Sequence, residues 1–275
     1  MTASTGSPRT TLVIGGTGKT GRRVAERLTA QGAPVRIGSR SGQPPFDWND
    51  ESTWAPALEG VKAVYISYYP DLAFPGATET VGSLAKLAAS SGAEQLVLLS
   101  GRGEEAAEAG EQAVQAAGTG WTIVRCSWFN QNFSESFLLD PVLAGDIAIP
   151  AGDAVEPFTD ADDIADVAAA ALLDPKHQGK LYELTGPRLL SFADVAAELS
   201  TVTGRPIKYT PLSADEYRAI LAQHDLPPDF ADLFLGILDG RNAHLTDGVQ
   251  QALGRAPKDF SVYAREAAAT GVWNV

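Results

Sequence analysis

The stretch LVIGGTGKTGRRV, residues 12–24, constrains this chain more than any other. An apolar, strand-like run (Thr11–Ile14) leads directly into three glycines, Gly15, Gly18 and Gly21. The segment RRVAERLTA follows, with Val24, Ala25 and Leu28 at helical spacing. Two phosphate-binding signatures overlap here. The GKT of residues 18–20 would close a nucleoside-triphosphate loop, but G-x-x-x-x-G-K-[ST] needs its first glycine where Val13 stands. A β-branched valine inside a strand cannot open the wide loop that cradles β- and γ-phosphates. Strand, glycine turn and helix in succession are instead the context of a dinucleotide fingerprint. In that reading Gly15 allows the tight turn, Gly18 lets the backbone approach a pyrophosphate, and Gly21 lets the helix pack on the strand. The pyrophosphate then meets free N–H groups at the helix N-terminus. Thr17, Lys19 and Thr20 share the turn, and the Lys19 side chain either faces phosphate or points to solvent.

The pattern beyond the turn predicts an α/β fold, a Rossmann-type doubly wound parallel sheet. Further strands are expected at Pro34–Ser39, in a short run ending in Phe46–Asp47–Trp48, at Val61–Ser67, at Glu94–Ser100 and at Thr122–Arg125. Helices are expected after Asp50 or Ser52, over 76–92 and over 104–117. Such alternation buries a parallel sheet on both faces and gathers ligands at the carboxyl ends of its strands. From about residue 140 Pro141, Gly145, Pro150 and Gly152 interrupt the pattern. Helices at 160–173, 191–203, 213–223, 227–240 and 245–253 then alternate with strand-like YELTG and PIKYT. The expected organisation is a dinucleotide-binding domain over 1–140. A smaller, mostly helical lobe over 141–275 would pack on the sheet edge on the substrate side, with strands able to return to the sheet.

Bulk properties narrow the function classes. With 275 residues, 44% hydrophobic content and a mean hydropathy of −0.06, the chain can bury a full core. No apolar run is long enough to span a bilayer, and MTASTGSPRT has no hydrophobic segment of a secretion signal, so a cytoplasmic location is expected. A formal charge of −13 argues against a nucleic-acid partner. The single cysteine, Cys126, and three scattered histidines, His177, His224 and His244, argue against a metal site. Cys126 reads as a small buried residue.

Where the second strand ends, an Asp or Glu would accept from the adenine ribose 2′-hydroxyl and mark NAD. Here the residues are Gly38–Ser39–Arg40. A guanidinium takes a 2′-phosphate in bidentate fashion and Ser39 adds a hydroxyl donor, so NADP(H) is the expected cofactor. Asp47 and Trp48 fall where adenine lies, the indole either stacking or structural. Ser67 and Tyr68 are expected against the cofactor and Tyr69 against the substrate. Ser100 either reaches ribose or substrate or caps a helix. After the sixth strand Trp128, Phe129, Asn130 and Asn132 either wall the nicotinamide and an aromatic or cationic small-molecule substrate, or pack the lobe. The Asp160–Asp163 cluster is expected to cap a helix.

Carbonyl reduction on such a turn commonly uses a Tyr-x-x-x-Lys pair, in which the ammonium lowers the tyrosine pKa. No tyrosine here has a lysine four residues later, and EEAAEAGEQAVQAAG contains neither residue. The catalytic group is therefore open among Ser100, Tyr69, Trp128 and Asn130.

Taken together, several segments resemble the NmrA-like atypical short-chain dehydrogenases/reductases. These are GGTGKTG, Ser39–Arg40, FDWNDESTW (46–54), VLLS (97–100), SWFNQNF (127–133), DADDIADVAAAAL (160–172) and LTDGVQQALGRAPKDFSVYARE (245–266). Within that family they are most similar to the agroclavine dehydrogenase and festuclavine synthase group of ergot alkaloid enzymes. The resemblance implies NADP(H) at the strand ends and, in the ergot group, reduction of a substrate iminium. It departs at Cys126, where the relatives usually carry proline. An iminium suits the missing pair, because its carbon is already electrophilic and hydride addition gives a neutral amine. Quinones and enones come next as acceptors. The same resemblance admits a second reading, a non-catalytic NADP(H)-binding redox sensor acting through a protein partner.

Overall fold

The computed structural model describes residues 9–223 and 229–275. The N-terminal stretch before residue 9, His224 and the start of the helix expected over 227–240 lie outside the described residues. Up to the middle of the chain the elements are β1 (Thr10–Ile14), α1 (Gly21–Ala30), β2 (Val35–Gly38), α2 (Trp54–Leu58), β3 (Val61–Ile66), α3 (Ala77–Ser90), β4 (Gln95–Gly101), α4 (Glu105–Gln115) and β5 (Gly120–Cys126). Then come α5 (Asn132–Glu135), α6 (Leu139–Ala144), β6 (Asp146–Ile149), β7 (Val155–Glu156), α7 (Ala161–Leu173) and β8 (Lys180–Leu184). The chain closes with β9 (Leu190–Ser191), α8 (Phe192–Thr203), β10 (Lys208–Pro211), α9 (Ala214–Gln223), α10 (Asp229–Ile237), α11 (Gly248–Leu253) and α12 (Phe260–Ala269).

The main sheet has the order β2-β1-β3-β4-β5-β8, and β2, β1, β3 and β4 pair in parallel. This is the doubly wound Rossmann arrangement. The expected strand through Phe46–Trp48 does not form. Asp47 makes only an isolated bridge to Asp50, and its carbonyl accepts the Trp54 indole N–H at 2.8 Å. Pro44 and Pro45, just upstream, have no N–H to give a ladder, so the segment stays a turn.

By internal packing the chain divides into two units. The first comprises residues 1–101, 105–125 and 164–182, and the second 102–104, 126–163 and 183–275. The chain thus crosses between them several times, where the sequence suggested one crossing after residue 140. Strand β8, at the far edge of the sheet, is the later segment that returns to it. The first unit's core sets Leu12, Ile14, Val64, Ile66, Leu96 and Leu98 of the sheet against Val81, Leu84 and Ala85 of α3. The second unit has its own aromatic core of Trp128, Phe133, Phe158, Phe192, Phe260 and Trp273. Helix α12, which the periodicity did not single out, opens at Asp259, whose carboxylate accepts from the Ser261 N–H at 2.9 Å. Among the described residues no helix is long and apolar enough to cross a membrane.

Candidate functional site

The glycine turn of the first unit is built by contacts that tolerate no side chain. Gly15 sits at φ +70°, and its carbonyl accepts the Gly18 N–H at 2.8 Å. A Cβ on Gly21 would lie 2.2 Å from the Gly15 carbonyl oxygen, so the first residue of α1 must be glycine. Gly16, which the spacing did not mark, is also confined, less severely, since a Cβ there would lie 2.9 Å from the Val13 carbonyl. Thr17 and Gly18 are exposed, while Thr20 is buried with its hydroxyl hydrogen-bonded to Tyr65 Oη at 3.0 Å. No side chain caps α1 and no acidic residue stands in its first turn. Arg22 and Arg23 occupy that turn instead, and Arg23 Nη1 donates to the Lys19 carbonyl at 2.8 Å. The result is a helix N-terminus with positive dipole and positive side chains, suited to an anion.

Strand β2 delivers its end to the same place. The Gly15 N–H donates to the Gly38 carbonyl at 2.9 Å, and a Cβ on Gly38 would lie 3.0 Å from Ile14 Cα. Past it, Ser39 Oγ lies 3.3 Å from Ser41 Oγ, and Arg40 is exposed with no hydrogen bond or ion pair among the described residues. Ser67, at the end of β3, flanks the turn, with its Cβ 3.5 Å from where a Gly15 side chain would begin. Tyr68 packs edge-on against Trp48 at 4.9 Å, and Trp48 also meets Phe46 and Trp54. Trp48 is thus held, half-buried, in an aromatic group, and Asp47 uses its backbone to anchor that turn. Tyr69 stands 80% exposed.

Ser100 behaves differently from these neighbours. Its hydroxyl is buried and donates to Glu111 Oε1 at 2.6 Å, and Arg125 grips the same carboxylate through Nε at 2.8 Å and Nη2 at 2.5 Å. It caps no helix and ties β4 to α4 and β5. Helix α4 reads EAAEAGEQAVQ, so no Tyr or Lys stands on it.

The remaining predicted residues belong to the second unit. After β5 the backbone pairs with the strand-like segment before α7: the Thr159 N–H donates to the Trp128 carbonyl at 2.7 Å, and the Asn130 N–H to the Thr159 carbonyl at 2.9 Å. Asp160 caps α7 by accepting the Asp162 N–H at 2.8 Å. Its other oxygen takes the Asn130 and Gln131 amides at 3.2 and 3.0 Å. Asp163 leaves the cap to accept from Arg255 and from the Lys258 N–H, both at 2.6 Å. Trp128 is buried among Phe137, Phe192 and Phe234, with ring centroids 6.1, 5.4 and 5.2 Å away. Phe129 and Asn132 are half-buried. Cys126 is buried, and burial first, then the carboxylate of Asp163, pushes its thiol well up, which keeps it protonated and unreactive.

Sequence reasoning passed over Arg102 and Glu156. Arg102 is buried, ion-paired with Glu183, and donates to the Asn242 carbonyl at 2.9 Å. Glu156 is fully buried, and neither of its carboxyl oxygens has a hydrogen-bond partner among the described residues. The only signal for either was a charged residue inside an otherwise small or apolar segment, GRG and VEPF.

No family model matches the chain. It is 34% identical to an uncharacterized oxidoreductase of Bacillus subtilis (strain 168), over 95% of this chain and 97% of that protein. It is 31% identical to agroclavine dehydrogenase of Claviceps fusiformis, over 94% of this chain and 96% of that protein. Among solved structures, an NADPH-dependent quinone oxidoreductase from Escherichia coli, crystallised with NADPH, superimposes with a TM-score of 0.74 at 22% identity. That match covers 94% of this chain and 99% of the other, and at this identity it speaks for the fold.

Proposed function

The chain belongs to the NmrA-like family of atypical short-chain dehydrogenases/reductases, and from that premise we propose that it is an NADPH-dependent reductase of small organic electrophiles, imines and iminium ions first, quinones and enones next. The observation that carries the cofactor choice is Arg40, exposed and unpaired two residues beyond the point where β2 meets the glycine turn. An arginine without a partner among the described residues, beside Ser39 and Ser41, fits a ribose 2′-phosphate, and the segment 38–41 has no carboxylate to prefer a hydroxyl. Gly15, Gly18 and Gly21, with the backbone of Thr17, Lys19 and Thr20, fit the pyrophosphate. Ser67 and Tyr68 stand at the next strand end, and the half-buried Trp48 would meet the adenine.

Bound NADPH would supply the hydride. The protein's own part is to hold and orient, since hydride addition to an iminium carbon leaves no oxyanion to protonate. That division of labour accounts for an α4 without Tyr or Lys. Ser100, whose hydroxyl serves Glu111, is a positioning residue in this reading, and Tyr69 is the exposed aromatic side chain beyond β3 offered to the substrate.

The test is NADPH oxidation, followed at its nicotinamide absorbance, against a panel holding a cyclic iminium, a quinone and an enone. The expected result is turnover with the iminium above the others, with Tyr69→Ala lowering turnover while NADPH affinity stays unchanged. If NADPH binds but no acceptor consumes it, the protein is a cofactor sensor and the reductase reading falls.

A further inference from the structure

Burying a carboxyl group without a hydrogen-bond partner is costly, and folded chains rarely retain one without a use for it. Glu156 is such a group. It ends β7, in register with Leu190 of β9, and its side chain has no exposure to solvent. Both Oε1 and Oε2 lack a hydrogen-bond partner among the described residues. The charges that act on it come from other segments of the same unit. These are Arg102, from the turn after β4, and Asp239, just past α10. Each of these already has a counter-charge, because Arg102 pairs with Glu183, and Asp239 pairs with Arg241 at 2.7 Å. An ionised Glu156 is therefore surplus by one negative charge.

Two further polar atoms of the same unit are buried and unmatched among the described residues. Arg102 reaches Ser127 Oγ at 3.4 Å through Nη1, and its Nη2 has no partner. Next along the chain, Trp128 Nε1 is likewise buried without an acceptor. The Trp128 ring opens an aromatic group toward the surface, through Phe234 at 5.2 Å to Phe137, which is 46% exposed.

We infer that Glu156 is the anion of an internal subsite for an organic cation bearing an N–H, a protonated amine or iminium on an aromatic or apolar frame. The cation donates to Glu156, and the frame lies along Trp128 and Phe234, where an aromatic face also attracts positive charge. The Trp128 N–H is left for an acceptor on the same molecule. Without a cation, burial pushes the Glu156 carboxyl up to about 8, Arg102 opposing and Asp239 adding to the shift. At neutral pH the group is then mostly a neutral acid, so taking up a cation must release its proton to solvent. As a binding site this stands on the second unit alone. As the substrate class of the enzyme it rests on the reductase reading above.

The experiment is calorimetric titration at neutral pH with 2-phenylethylammonium and with 2-phenylethanol, its uncharged analogue, each in two buffers of different ionisation enthalpy. For the wild type the expected results are at least about tenfold tighter binding of the ammonium, ~1.4 kcal/mol, and release of about one proton per cation bound. In Glu156→Gln the preference and the proton release should both vanish, with NADPH affinity unchanged. Equal binding of the two probes, binding of neither, or a Glu156→Gln protein that still prefers the ammonium would overturn the subsite. Should Glu156→Gln not fold, the buffer pair on the wild type decides, and binding without proton release counts against it. NADPH titration of the same samples reads the cofactor assignment separately, so failure of one is not mistaken for failure of the other.

Discussion

The two sites proposed above, the glycine turn of the first unit and the buried polar groups of the second, would take up a ligand in opposite ways. The turn is made of backbone. Gly16 and Gly21 are confined by backbone atoms 2.9 and 2.2 Å from where a Cβ would lie, Gly15 by its φ of +70°, and Arg40 beside them is exposed. The subsite proposed in the second unit rests on side chains, Arg102, Trp128 and Glu156, drawn from separate stretches of chain and buried with polar atoms unmatched among the described residues. A backbone site costs little without its ligand, since exposed N–H groups are hydrated. A buried side-chain site keeps a desolvation penalty until the ligand arrives.

That contrast predicts opposite responses to perturbation. The largest should come from Glu156. Its folded-state value of about 8 lies above the ordinary 4.5, so its contribution to stability is full below 4.5 and is lost as the pH rises through 8. At ~1.4 kcal/mol per unit, this amounts to several kcal/mol. Denaturant melts across that range should show the wild type losing stability relative to Glu156→Gln, and parallel curves would break the comparison from the side of the subsite.

Next is Gly21→Ala. Forcing a methyl group against the Gly15 carbonyl should cost on the order of 3 kcal/mol and remove detectable NADPH binding in a fluorescence titration. Retained binding would mean that the turn is not the cradle. Ser100→Ala follows, at about 2 kcal/mol in thermal melts, because Glu111 loses a buried donor while keeping Arg125. Its NADPH affinity should be unchanged, and a large loss of affinity would return Ser100 to the cofactor.

The same contrast explains what the sequence made legible. The turn could be read because its demands are local: Gly15 and Gly21 are close in sequence, and the clash that fixes Gly21 is with Gly15 itself. The capping role of Asp160 was legible for the same reason. The strand expected at Phe46–Trp48 failed because a β-like composition was weighed without the donor loss at Pro44 and Pro45. Ser100 could not be placed because its partner, Glu111, reaches it only through the packing of α4 on β4. Glu156 was invisible for a deeper reason. A lone glutamate before a proline ordinarily marks a solvated turn, and only the tertiary structure shows that it has been buried.

Selection of the 2′-phosphate by Arg40 beside the dinucleotide turn is read by calorimetric titration of the wild type and Arg40→Ala with NADPH, NADH and ATP. The wild type should prefer NADPH. Arg40→Ala should weaken NADPH by more than about tenfold, ~1.4 kcal/mol, and leave NADH unchanged. Binding of ATP without NADPH, or an NADPH affinity indifferent to Arg40, would contradict that selection.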